Sequence, residues 1–65
     1  MFIGEVLLYH RKKCGYTQAD VAAKMSEKGY PTKKGSVYTW EKGIAVPNAY
    51  QYIALRQILD IHEEI

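Results

Sequence analysis

The apolar residues of this chain recur at helical spacing, in four blocks that Gly and Pro separate. In the first block, from about Phe2 to Cys14, Ile3, Leu7, His10 and Cys14 follow at steps of four, three and four, with Val6 beside them. That stripe predicts a helix facing inward along those residues and stopped by Gly15. Thr17 is placed to cap a second helix, about 17–28. Asp20, three residues on, puts a negative charge in its first turn, where the helix dipole favours one. Its predicted core face is Val21, Ala22 and Met25, and the small Ala22 and Ala23 predict close approach of another helix. Ser26 to Pro31 then breaks the pattern with a turn longer than a minimal one.

A third helix, about 33–42, is predicted from a cap at Thr32 to a stop at Gly43. Gly35 lies inside it, and glycine in a helix interior costs about 1 kcal/mol against Ala. Asn48, just after Pro47, can cap the fourth, whose inward residues are Tyr52, Leu55, Ile58 and Leu59. Ile61 and Ile65 are expected to pack as a short final turn. No Asn-Gly or Asp-Gly turn separates alternating runs, so no strand pair is predicted. The expectation is an all-α fold, a compact orthogonal bundle of four to five short helices forming one domain over 1–65. A long coiled coil would need sustained heptads.

A chain of 65 residues has room for one small core, burying about 60% of the surface its unfolded form exposes. The apolar runs are too short to span a membrane, and the opening MFIGEVLLYHRKK has no basic segment ahead of its apolar one, which reads against a secretory signal. Cys14, the single cysteine, has no internal disulfide partner, and with two distant His residues it makes no metal set. A reduced, cytoplasmic setting without metal or cofactor is expected. The net charge of +2 permits a nucleic-acid partner without requiring one. Its distribution is more informative: of nine Lys and Arg, three are Arg11, Lys12 and Lys13 and three more are Lys33, Lys34 and Lys42, whereas Asp60, Glu63 and Glu64 finish the chain. An electropositive end is what a phosphate-binding face requires.

At about 100° per residue, Val37, Trp40 and Glu41 fall on one side of the third helix, and Gly35, Tyr38, Thr39 and Lys42 on the other. Lys34 sits at the exposed first turn. The outer face is thus polar, basic and slim, as a helix entering the DNA major groove needs to be. A solvated surface helix also uses Lys and Thr, and these residues alone do not separate the two. Glu41 is the unusual member of the inner stripe, because a buried carboxylate needs a partner. Arg11, at the edge of the first helix's inward face, is the expected one, and an Arg11–Glu41 ion pair would tie helix one to helix three.

Three stretches together resemble the Cro/lambda-repressor type of helix-turn-helix domain, also called the XRE family. They are Gly15-Tyr16-Thr17-Gln18-Ala19-Asp20-Val21-Ala22, Ser36-Val37-Tyr38-Thr39-Trp40-Glu41-Lys42-Gly43 and Pro47-Asn48, and the likeness covers about Ile3 to Ile61. The resemblance implies sequence-specific binding of double-stranded DNA by a transcriptional regulator, a repressor, acting as a homodimer on an operator. It implies that Lys34, Gly35 and Thr39 face base edges, and that Lys33, Ser36 and Tyr38 reach phosphates or flanking bases. Gln18 would contact the DNA backbone and brace the recognition helix, Lys42 and the loop Gly43 to Asn48 would lie along the sugar-phosphate backbone, and Arg11 with Glu41 match the family's buried ion pair. The chain departs from the pattern in its turn between helices two and three, in His10 and in Gly35. That turn is about five residues longer than usual, as in some LexA-like self-cleaving repressors. Those carry a C-terminal serine–lysine peptidase domain, so an excised N-terminal domain is expected over a stand-alone regulator.

The remaining residues have structural readings. His10 and Trp40 are expected to pack in the core, Cys14 to be a small core residue, and Tyr50 and Tyr52 to serve the core or a dimer contact. Glu63 and Glu64 read as a solvated tail. An enzyme is not expected: no nucleophile has a base, no inward carboxylates pair, and no phosphate loop is present. The competing reading is an antitoxin-like or adaptor module that keeps the bundle and binds protein.

Overall fold

In the computed structural model, which describes residues 2–62, the chain forms four helices. They are α1 (Ile3–Cys14), α2 (Gln18–Glu27), α3 (Lys34–Lys42) and α4 (Ala49–Ile58), and no strand occurs among the described residues. Two helices start with reciprocal capping boxes. The Thr17 hydroxyl accepts from Asp20 N–H at 3.0 Å while Thr17 N–H donates to Asp20 Oδ2 at 2.9 Å. Asn48 and Gln51 repeat the exchange at the head of α4, at 2.8 and 2.9 Å.

Helix α3 packs on both α1 and α2, and α2 packs on α4. Met25, Leu55 and Val21 are the most enclosed side chains. Around them lie Val6, Leu7, Ala22, Val37, Trp40, Ala54, Leu59 and Ile61, all buried, with His10 and Glu41 as the buried polar members. Ile3, Tyr52 and Ile58 are half-buried against this cluster. After α4 the chain turns through Asp60, at φ 55°, and Ile61 N–H bonds to Arg56 O at 2.9 Å, which brings Ile61 back into the core. The further turn expected at Ile65, like the solvated tail at Glu63 and Glu64, lies outside the described residues.

Three expectations need correction. Cys14 is exposed, because the last turn of α1 stands clear of the core: Lys12, Lys13 and Gly15 are exposed as well. Its Sγ donates to the Leu59 carbonyl at 3.4 Å. Thr32 does not cap α3, whose N-cap is Lys33 with no side-chain bond. Thr32 belongs to the turn, its hydroxyl donating to Tyr30 O at 2.7 Å and its N–H donating to Ser26 Oγ at 3.2 Å. Ser26 Oγ in turn donates to Ala22 O at 3.0 Å, so one hydroxyl fastens the long connection to the end of α2. Finally, Ala23 is exposed, so it is not covered by another helix as Ala22 is.

A close approach between helices does occur at Gly4 of α1. A Cβ there would stand 2.6 Å from the carbonyl oxygens of both Trp40 and Glu41. The Gly4 backbone therefore rests directly on the C-terminal turn of α3, and Phe2 covers the same corner beside Gly43. Both carbonyls belong to the last turn of α3, and Trp40 O also accepts the capping Gly43 N–H at 3.3 Å. Gly4→Ala should lower unfolding stability by about 1–3 kcal/mol, as overpacking does. A denaturant melt in which Gly4→Ala equals or exceeds the unaltered protein, as helix propensity alone would have it, contradicts this packing.

Candidate nucleic-acid interface

The inner side of α3 is clamped by Val37, Trp40 and Glu41, all buried. Glu41 receives three charge-assisted or amide donors. Arg11 Nε donates to Oε2 at 2.6 Å, Arg11 Nη2 to Oε1 at 3.1 Å, and Gln18 Nε2 to Oε1 at 3.0 Å. Arg11 Nη1 also donates to Tyr16 O at 3.0 Å, and Tyr16 N–H returns a bond to Arg11 O at 3.1 Å. The Arg11 and Glu41 side chains are 12% and 4% exposed, so the pair sits largely out of water, with three hydrogen bonds to each partner. One guanidinium thus joins α1, the turn into α2, and α3.

This network lines an open cleft of about 780 Å³ between α1, the head of α2 and α3. Tyr16, Thr17, Gln18, Tyr38 and Lys42 face it, together with Lys12. Lys42 Nζ lies 5.8 Å from the Tyr38 ring centroid, one helical turn away on the same face. At the head of α2, the Thr17 backbone N–H, and after it the Thr17 side chain, hold the exposed Asp20 carboxyl below its ordinary value of 3.8. The capping box uses the N–H groups of Thr17 and Asp20 and leaves those of Gln18 and Ala19 out of the exchange.

Lys33, Lys34, Gly35, Tyr38 and Lys42 are exposed, whereas Ser36 and Thr39 are half-buried. Thr39 Oγ1 donates to Ser36 O at 2.8 Å, so its hydroxyl proton is committed within the helix and its outward capacity is that of an acceptor. Gly35 has open space on its outer side: a Cβ there would meet nothing within 4 Å beyond its chain neighbours and the helix's own backbone. Comparison with family models, with characterised proteins and with solved structures finds no match.

Arg11 and Glu41 are brought into contact, and Gln18 joins them. The side chain of Gln18 braces α3 from inside, a role the sequence suggested only alongside a backbone contact. Lys12 and Tyr16 were not singled out in the sequence as site residues, although they line the cleft with Gln18 and Lys42. The usable signal was adjacency: each sits next to a residue that was named, Lys12 to Arg11 and Tyr16 to Thr17. No group of His, Cys, Asp and Glu among the described residues could hold a metal ion. Nor is any described helix long and apolar enough to cross a membrane.

Removing the Glu41 carboxylate strands Arg11 in a largely dry site, so Glu41→Met should cost roughly 3 kcal/mol or more. Replacing both partners with apolar residues, Arg11→Leu with Glu41→Met, should recover much of that loss. Chemical denaturation of the two single variants and the double variant checks it. Simple additivity of the two single losses would mean the pair is not coupled.

Proposed function

We propose that the chain binds double-stranded DNA by laying the outer face of α3 in the major groove, as a transcriptional regulator of the Cro/lambda-repressor type. The observation that carries this reading is the asymmetry of α3. Its back is fixed to α1 and α2 by the buried Arg11–Glu41–Gln18 network, while its front presents Lys34, Gly35, Tyr38 and Lys42 to solvent. A recognition helix needs a rigid mount and a slim, basic front. Lys34 and Thr39 are the base-reading side chains in this account. Because Thr39 can only accept, it pairs with the exocyclic amine of adenine or cytosine.

Lys33, Ser36, Tyr38 and Lys42 take phosphates. Gln18, with its side chain on Glu41, contributes through the backbone N–H at the head of α2, where the helix dipole favours an anion. The protein acts as a repressor in the cytoplasm, as two copies on a near-palindromic operator, with recognition helices about 34–36 Å apart. A C-terminal regulatory or peptidase domain belongs to the same reading.

A second reading, an antitoxin-like or adaptor module that binds protein, is favoured by Ile44 and Val46, which are 71% and 70% exposed, and by exposed Tyr50 and Ile53. Affinity for random-sequence duplex, measured from roughly 50 to 200 mM salt, separates the two, because DNA binding must fall steeply as counterions are released. On selected duplexes, Thr39→Ala and Lys34→Ala should relax sequence preference by about 1–3 kcal/mol per base contact, and Lys42→Ala should weaken all duplexes alike. Binding that is undetectable or indifferent to salt contradicts the proposal.

A further inference from the structure

Four of the five glycines have a reason inside the fold. Gly15, Gly29 and Gly43 hold φ of 77°, 95° and 76°, where L side chains are strained, and Gly4 lies against two α3 carbonyls. Gly35 has none of these. It sits in the first turn of α3 with helical backbone, its φ is not positive, and a Cβ there would meet nothing within 4 Å beyond its chain neighbours and the helix's own backbone. An alanine would fit there without strain and would lower the entropy of the unfolded chain. The fold by itself therefore disfavours the residue that is present.

We infer that Gly35 sets the depth at which α3 seats against its partner, so that the helix backbone itself is the point of closest approach. This rests on the DNA-binding reading of the same face. Lys34 and Lys42 flank the position with long, flexible side chains, and Thr39, one turn on, has its hydroxyl tied back to Ser36 O. Short polar reach at Thr39 demands that the helix come close to the base edges, and a missing Cβ one turn earlier is what permits it. The long lysines, Lys34 to a base edge and Lys42 to a phosphate, reach from further out and do not need that depth. Gly35 therefore determines specificity by shape: it governs the tight, base-reading complex and leaves the loose, phosphate-held complex unaffected.

The test is a size series, Gly35→Ala, Gly35→Ser and Gly35→Val, assayed on two probes. One is the duplex that the unaltered chain enriches from a random pool, and the other is a random-sequence duplex. Gly35→Ala should raise the melting temperature. It should weaken binding to the enriched duplex at least tenfold, with larger losses for Gly35→Val, while affinity for the random duplex and its salt dependence stay unchanged. Gly35→Ala binding the enriched duplex as tightly as the unaltered chain would overturn the inference and leave the DNA-binding reading standing. So would a Gly35→Ala melting temperature at or below that of the unaltered chain, because the glycine would then answer to the fold. If the unaltered chain enriches no duplex at all, the underlying reading fails and the inference falls with it.

Discussion

Glu41 is a carboxylate withdrawn from water, and the arrangement of the helices follows from how its charge is met. Arg11 reaches it from α1 with two nitrogens and Gln18 from the head of α2 with one, while the remaining Arg11 Nη1 holds the Tyr16 carbonyl in the turn between them. Hydrophobic packing is tolerant of small slides between helices. A planar guanidinium against a carboxylate is not, since it demands both orientation and distance. The apolar cluster supplies the driving force for burying α3, and the ion pair supplies the register in which α3 is buried.

That division of labour decides what the surface can do. Val37 and Trp40 hold the helix down, Glu41 stops it turning, and Gly4 lets α1 come close enough for Arg11 to reach. The long connection before α3 is fastened by the Ser26 hydroxyl, so the start of α3 is fixed as well as its end. With both ends and the back defined, the outer residues are presented in one geometry. Pre-positioning of this kind avoids the ordering entropy a mobile recognition element would lose on binding.

Much of this architecture is legible in the sequence, for identifiable reasons. Helical spacing of Val, Leu, Met and Trp residues carries the faces of all four helices, and Thr17 with Asp20 marks a helix start by local chemistry alone. The Arg11–Glu41 contact is inferable because a carboxylate on an apolar stripe has few tolerable partners. What is not legible depends on where helices cross. Gly4 looks like an ordinary first-turn residue until α3 lies on it, and Cys14 keeps the period of its stripe after the helix has outrun the core. Thr32 is an equally good cap or turn residue, and the competition is decided by Ser26, six positions away. The bond of the Gln18 amide to Glu41 required knowing that the head of α2 meets the end of α3.

The central claim is that the front of α3, held from behind by Glu41, is the working surface. Amide chemical-shift mapping during titration with the duplex that the chain enriches from a random pool tests it most directly. The account predicts that the largest changes fall on Lys34, Gly35, Tyr38, Thr39 and Lys42 and on Gln18 and Ala19 at the head of α2, with Tyr50 and Ile53 unmoved. Changes concentrated on Tyr50 and Ile53, with the α3 front silent, would contradict it.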